Sequence, residues 1–269
     1  MPRAALALIP AAALLAIPGC EQGRPPQRVR RMAGGTSGTV CLEVVTPRGR
    51  FALRIRPEHA LRAGADPHRE LKLQRLAAHA GLAPAVIAAD SNAGWLLMDY
   101  IDEPVWGLSL LQQPNRLDAL MERLRVLQTL PVLNESVFDP SALLQLQGAL
   151  AGILEPTWQG AVQQLLRAAE PLVLECRVQP GAAVAAHGDL NVSNLLGPQP
   201  LLIDWEYAQY ADPLHDLACL LAYYPQLEPQ SARLLAALGH DNAQGRERLV
   251  LQKRLWGLIN GLWQSLHGS

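Results

Sequence analysis

The chain has 269 residues, 49% hydrophobic and 17% charged, with 23 basic and 24 acidic side chains for a net charge of −1. That is enough apolar material for one large domain or two lobes, and too even a balance for an extended basic field on nucleic acid. Four cysteines, at 20, 41, 176 and 219, have neither metal-ligand nor redox spacing, so they read as reduced, buried thiols rather than as a disulfide framework.

Met1 to Gly19 holds Arg3 and an apolar run, Ala4 to Ile17, before Pro18-Gly19-Cys20. It reads as a helix that packs on the first lobe of a cytoplasmic protein, since Pro10 interrupts the run. The alternative is a lipoprotein-type export signal ending at Cys20. No later stretch reaches the ~18 apolar residues that a membrane span needs. Residues 21–32, polar and Pro-containing, read as a link into the first strand.

Val40–Val45 and Arg50–Ile55 are expected as strands around the turn Thr46-Pro47-Arg48-Gly49. Asp66-Pro67 opens a helix with a cap residue and a proline at the first position, and Gly81 with Pro84 beyond it stops that helix. Val86–Asp90 and Trp95–Asp99 read as two more strands. After Tyr100 the pattern turns helical. Asn115 is expected to cap a stripe of Leu117, Leu120, Leu124 and Leu127 that ends at Pro131. Ser141 opens another helix, and Gln159–Glu175 makes a third. Short strands near Ala183–Ala186 and Leu201–Ile203 interrupt the helices. Asp212–Tyr223, Ser231–Leu238 and Arg246–Leu266 complete the chain. The domain division read from this pattern is 1–32 for an N-terminal helix and linker, 33–101 for a β-rich part and 102–269 for a mainly helical part.

Chemistry concentrates in His187-Gly188-Asp189-Leu190-Asn191-Val192-Ser193-Asn194 and in Leu202-Ile203-Asp204-Trp205-Glu206. An aspartate can accept the proton of a substrate hydroxyl, and an asparagine five residues on can hold a metal ion from the same loop. A second aspartate at the end of an apolar strand can bridge that metal to phosphates. Asp189 is therefore the candidate catalytic base, and Asn194 and Asp204 are candidate Mg²⁺ ligands, their oxygens suited to a hard cation. His187 reads as a brace for the loop. Gly34-Gly35-Thr36-Ser37 before the first strand could bring backbone N–H groups to phosphate, a weak signal by itself. Arg54 lies amid an apolar strand, where a lone charge is costly unless paired. Arg56, two residues on, shares its strand face and competes for the same role.

The pattern H-x-D-x-x-x-x-N with a downstream aspartate, followed by Asp212-Pro213-Leu214-His215-Asp216-Leu217-Ala218, resembles the core of the aminoglycoside phosphotransferase and choline kinase superfamily. That resemblance implies an α+β, bilobal, protein-kinase-like fold, with a small β-rich N-lobe and a larger, mainly helical C-lobe. It implies an ATP- and Mg²⁺-dependent small-molecule O-phosphotransferase. It implies that Gly34, Gly35, Thr36 and Ser37 cover phosphate, that Arg54 pairs with Glu70, and that Met98, Asp99 and Tyr100 present backbone groups to an adenine edge. Arg54 departs from the lysine of protein kinases, and choline-kinase-like members resemble this chain in using arginine. Asp216 is expected to be buried and to hydrogen-bond the backbone of the loop.

Ile203-Asp204-Trp205-Glu206-Tyr207-Ala208 resembles choline and thiamine kinases. Aromatic faces stabilise quaternary ammonium groups by about 0.5–2 kcal/mol each. Trp205, Glu206 and Tyr207 are thus candidate acceptor contacts. The expected partners are ATP and a small alcohol such as choline, ethanolamine or thiamine, with an aminoglycoside or amino sugar, or a binding-only pseudokinase, as the alternatives. A monomer or homodimer is expected, with no nucleic-acid partner.

Overall fold

The computed structural model describes residues 5–32, 38–56, 65–132, 137–154, 157 and 159–267. The chain divides into two compact units, Met1–Pro104 with Leu201–Glu206, and Val105–Pro200 with Tyr207–Ser269.

The first unit is built on helices α1 (Ala11–Ala16) and α2 (Pro67–His79) and strands β1 (Arg28–Arg31), β2 (Val40–Thr46), β3 (Gly49–Ile55), β4 (Val86–Asp90) and β5 (Trp95–Asp99). The strands form one sheet in the order β1-β2-β3-β5-β4, its neighbouring strands antiparallel. Alternation along each strand sorts the two faces. Val29, Leu42, Val44, Phe51, Leu53, Trp95 and Leu97 point to one face, where Ile9, Ala13, Ile17 and Cys20 from the segment around α1 complete a buried core. The hydroxyl of Thr46 donates to the Pro18 carbonyl at 2.7 Å and fixes the end of that segment to the β2–β3 turn.

Residues 28–31 form a strand where composition suggested a linker. The reason lies in the charges. Arg28 and Arg30 project to the face opposite Val29, and with Arg50 they converge on the fully buried carboxylate of Glu43, at 3.1, 2.7 and 2.9 Å. Three charge-assisted contacts offset the cost of burying that group. Burial acts to raise the Glu43 pKa, but the bonds from Arg30 and Arg50 outweigh it and hold it below the usual value. A short, arginine-rich edge strand also resists pairing with other chains.

Helix α2 starts as its sequence dictates. The Asp66 carboxylate accepts from the backbone N–H groups of His68 (2.9 Å) and Arg69 (3.1 Å), and Pro67 occupies the first turn. This places Glu70 one turn in, on the buried side. The segment Leu201–Glu206 belongs to this unit, its Leu202 N–H donating to the Leu82 carbonyl at 2.8 Å.

The second unit contains α3 (Leu108–Leu111), α4 (Pro114–Gln128), α5 (Pro140–Leu154), α6 (Gln159–Cys176), β6 (Val184–Ala186), β7 (Gln209–Ala211), α7 (His215–Tyr223), α8 (Ser231–Ala237) and α9 (Ala243–His267). Helix α4 begins at Pro114, with Gln113 rather than Asn115 in the cap position, because the fixed φ of proline suits the first turn. Its buried residues Leu117, Leu120, Met121, Leu124 and Leu127 recur at helical spacing. Helix α7 begins at His215 rather than Asp212. The Asp212 carboxylate accepts from the Leu214 N–H at 2.8 Å and is itself held by Arg248 at 2.6 Å. Leu144, Leu172, Val173, Cys176, Leu255 and Leu262 of α5, α6 and α9 form a core, and β6 and β7 pair antiparallel. All four cysteines are free; Cys41 is half-buried and the others are buried.

Candidate active site

In the second unit, residues 187–194 run as an extended loop pinned by one face of α7 and the residue after it. The Asp216 carboxylate accepts from the backbone N–H of His187 and of Gly188, both at 2.9 Å. One turn on, the Cys219 sulfur accepts from the Leu190 N–H at 3.3 Å. Next, the Tyr223 hydroxyl donates to Asp189 Oδ1 at 2.8 Å, and the Tyr224 hydroxyl accepts from the Val192 N–H at 2.8 Å. Positions 216, 219 and 223 lie at i, i+3 and i+7, so a single helix face holds four successive features of the loop. Within the loop, Asn191 Oδ1 accepts from the N–H and hydroxyl of Ser193, both at 3.0 Å.

Gly188 has φ +79°, and a Cβ there would lie 2.4 Å from the Tyr207 carbonyl oxygen. Only glycine fits a left-handed residue against a neighbouring backbone. His187 is fully buried and its Nδ1 accepts from the Asp189 N–H at 3.3 Å.

The Asp189 carboxylate is gripped on both oxygens. Asn194 Nδ2 donates to Asp189 Oδ2 at 2.9 Å and to its carbonyl at 3.0 Å, and Tyr223 holds Oδ1. Burial and then the Asp189 charge push the Tyr223 hydroxyl well above the ordinary tyrosine value, so it stays a donor. The same two causes, in the same order, raise the Cys219 thiol and keep it neutral. Asn194 bonds Asp189 through its nitrogen, and its carbonyl oxygen takes no part in those bonds.

In the first unit, Arg54 and Arg56 share a face of β3 and both are used. Arg54 Nη1 donates to Glu70, Arg56 Nη2 meets Glu70 Oε2 at 2.6 Å, and Glu206 Oε2 lies 2.7 Å from Arg54 and 3.6 Å from Arg56. Two guanidinium groups and two carboxylates thus close a ring of alternating charge. The side chains of Arg54 and Glu206 are only 10% and 4% exposed. Asp204 joins the ring at 2.8 Å from Arg54 Nη2, with its own side chain 39% exposed. Burial pulls the Arg54 pKa down, but Asp204, Glu70 and Glu206 outweigh it and hold it above the ordinary arginine value. Three carboxylates against two guanidinium groups leave the cluster with a formal charge of −1, and Asp204 is its most exposed carboxylate. Asp204 has φ +65°, a left-handed conformation uncommon outside glycine.

The other residues singled out from sequence fall differently. Gly34, Gly35, Thr36 and Ser37 lie outside the described residues. Met98 sulfur accepts from Gln74 Nε2 at 3.6 Å. The N–H of Asp99 donates to Ala85 and that of Tyr100 to Arg50, so neither is the free donor that a nucleobase edge would use. The Tyr100 ring lies under the Arg50 guanidinium at 4.1 Å.

Trp205, Glu206 and Tyr207 separate. Trp205 is fully buried and its indole N–H donates to Leu202, while Glu206 is buried against the two arginines. Neither has surface to offer an acceptor, which corrects the expectation for both. Tyr207 is half-buried, and its hydroxyl accepts from the Trp263 indole at 2.9 Å. The Tyr223–Asp189 and Glu206–Arg54 contacts were not assigned by sequence reasoning. The spacing of 223 from 216 carried a signal for the first. Nothing local signalled the second, whose partner Arg54 is 152 residues away.

Among the described residues no group of three or more His, Cys, Asp or Glu side chains is arranged to hold a metal. None of the helices there is long and apolar enough to cross a membrane.

A family model described as the phosphotransferase enzyme family matches residues 28–250, most of the chain, and the protein belongs to that family. No curated protein matches it. Among solved structures, a choline/ethanolamine kinase family protein from Mesorhizobium loti is similar with a TM-score of 0.69 at 23% identity, over 94% of this chain and 83% of that one. A choline kinase from Streptococcus pneumoniae is similar with a TM-score of 0.71 at 18% identity, over 92% and 87%. A thermostable mutant aminoglycoside phosphotransferase, in ternary complex with ADP and hygromycin B, is similar with a TM-score of 0.56 at 14% identity, over 90% of each chain. At such identities the likeness establishes the α+β, kinase-like fold that these proteins share.

Proposed function

We propose, starting from membership of the phosphotransferase enzyme family, that this protein transfers the γ-phosphoryl group of ATP to the hydroxyl of a small alcohol carrying one cationic group, of the choline, ethanolamine or thiamine kind. The observation that carries this reading is the Asp189 carboxylate, fixed through both oxygens by Asn194 and Tyr223. A carboxylate so held can orient an acceptor hydroxyl and take its proton, while phosphoryl transfer itself is governed by positioning and charge neutralisation. Arg54, locked by Glu70 and Glu206, presents a guanidinium of fixed orientation to the nucleotide phosphates. The ADP-bound relative in fold supports a nucleotide donor.

Asn194 of the second unit and Asp204 of the first are each, taken singly, suited to ligate Mg²⁺. Both offer oxygen, Asp204 is the most exposed carboxylate of its cluster, and the Asn194 amide nitrogen is turned toward Asp189. When bound, the ion would offset the negative charge of the phosphates during transfer.

The surroundings of Asp189 support this acceptor class. Tyr223 packs edge-on against Trp256 with ring centroids 4.7 Å apart, and Tyr224 is 6.1 Å from Tyr223. Aromatic rings beside one carboxylate suit a single small cation. Two of the acidic side chains that a polycation could use are paired: Glu228 with Lys253 at 2.6 Å, and Asp241 with Arg246 at 3.0 Å.

The test is a coupled ADP-release assay with MgATP over choline, ethanolamine, thiamine, amino sugars and an aminoglycoside. Turnover highest on a singly charged alcohol supports the proposal. Turnover on the aminoglycoside alone, or nucleotide binding with no turnover on any acceptor, contradicts it.

A further inference from the structure

The ring around Arg54 contains more than an ion pair needs. Glu70 is shared with Arg56, and Glu206 holds the other end of the Arg54 guanidinium at 2.7 Å, where Asp204 also meets it at 2.8 Å. A guanidinium has a rigid planar fork of donors, so carboxylates at both ends fix its position and the direction of its plane. Arg56 closes the ring on the far side, at 2.6 Å from Glu70 and 3.6 Å from Glu206, and so holds each carboxylate in turn. Glu206 itself is 4% exposed and has no open face.

We propose that Glu206 is a positioning residue for Arg54, setting the grip of the protein on nucleotide phosphate rather than on the acceptor. This rests on the reading of Arg54 as the phosphate contact. It also accounts for arginine in place of lysine at this position. A lysine ammonium is a compact point charge whose three donors sit on one nitrogen, so it lacks the planar fork that reaches Glu70 and Glu206 from two separate nitrogens.

The experiment compares Arg54→Met, Arg54→Lys, Glu206→Gln and the Arg54→Met/Glu206→Gln double variant in the full chain, with thermal melting to confirm folding. ATP binding is measured by calorimetry with Mg²⁺ and again in EDTA, and KM is measured for ATP and for the acceptor. Glu206→Gln weakens ATP binding by about tenfold or more, the scale of one charge-assisted hydrogen bond. The loss is the same in EDTA, the acceptor KM stays within about twofold, and adding the change to Arg54→Met costs nothing further.

Arg54→Lys, which leaves every carboxylate in place, loses ATP affinity to the same degree and keeps the test valid should Glu206→Gln not fold. The proposal is overturned if the acceptor KM moves instead, if the loss appears only with Mg²⁺, if the two changes multiply in full, or if Arg54→Lys binds ATP normally. Normal ATP binding by Arg54→Met would remove the phosphate role of Arg54 itself. Loss in Arg54→Met without coupling to Glu206 would overturn only the present inference.

Discussion

Asp216→Asn tests the claim that α7 sets the shape of the 187–194 loop. The carboxylate accepts from two backbone N–H groups, each at 2.9 Å, and is 4% exposed. An asparagine of the same size has one acceptor oxygen, so its amide nitrogen faces the second N–H. One charge-assisted bond is lost and one nearly buried donor is left unmet, together about 3–5 kcal/mol. For a chain of this size that lowers the melting temperature by roughly 6–20 °C. A loop displaced by about 1 Å at Asp189 loses on the order of 100-fold in kcat. Differential scanning fluorimetry and steady-state kinetics on the same preparation read both effects. A melting temperature within about 2 °C of wild type, with kcat within about twofold, would refute the reasoning.

Gly188→Ala combines a left-handed backbone with a 2.4 Å approach to the Tyr207 carbonyl; it should destabilise by about 2–4 kcal/mol and reduce turnover, both read by melting and kinetics. Asp204→Ala should remove the Mg²⁺-dependent part of ATP binding while leaving binding in EDTA near wild type, as calorimetry would show. His215 is buried beside the Phe138 ring at 5.4 Å and near Gln209 and Gln252. Burial lowers its pKa from 6.5 despite the opposing Asp216 and Asp212 charges. Below about pH 6.5 the unfolded chain therefore takes up a proton that the folded ring does not, so this residue's contribution is fully present above that pH and is lost as pH falls toward the folded pKa. The drop in melting temperature from pH 7.5 to 5.5 should be smaller in His215→Gln than in wild type.

Local features carried most of what the sequence revealed. The α2 cap was legible because Asp66 and Pro67 act within one turn, and the helix after Asp212 because a proline and an apolar run are adjacent. The hydrogen bonds of Asp216 were anticipated through the resemblance carried by Asp212-Pro213-Leu214-His215-Asp216-Leu217-Ala218. Strand β1 was hidden because three of its four residues are arginines, whose role appears only once Glu43 is opposite them. Glu206 read as an acceptor contact because an exposed acid and a buried partner look alike in sequence. Its arginine is distant in the chain, and only the fold brings the two together. Trp205 misled for a related reason: an aromatic with a polar handle suits a ligand site and a core equally, and here Leu202 supplies the acceptor its N–H needs.

The central claim is phosphoryl transfer to an alcohol with Asp189 at the reacting hydroxyl, and ³¹P NMR of choline with MgATP, using wild type and Asp189→Asn side by side, tests it most directly. The account predicts a phosphomonoester resonance growing as ADP appears in the wild-type sample. In Asp189→Asn that rate falls by a factor of about 10²–10⁴, with ATP still bound. A phosphomonoester formed at the wild-type rate by Asp189→Asn, or ADP and inorganic phosphate in place of the ester in the wild-type sample, would contradict it.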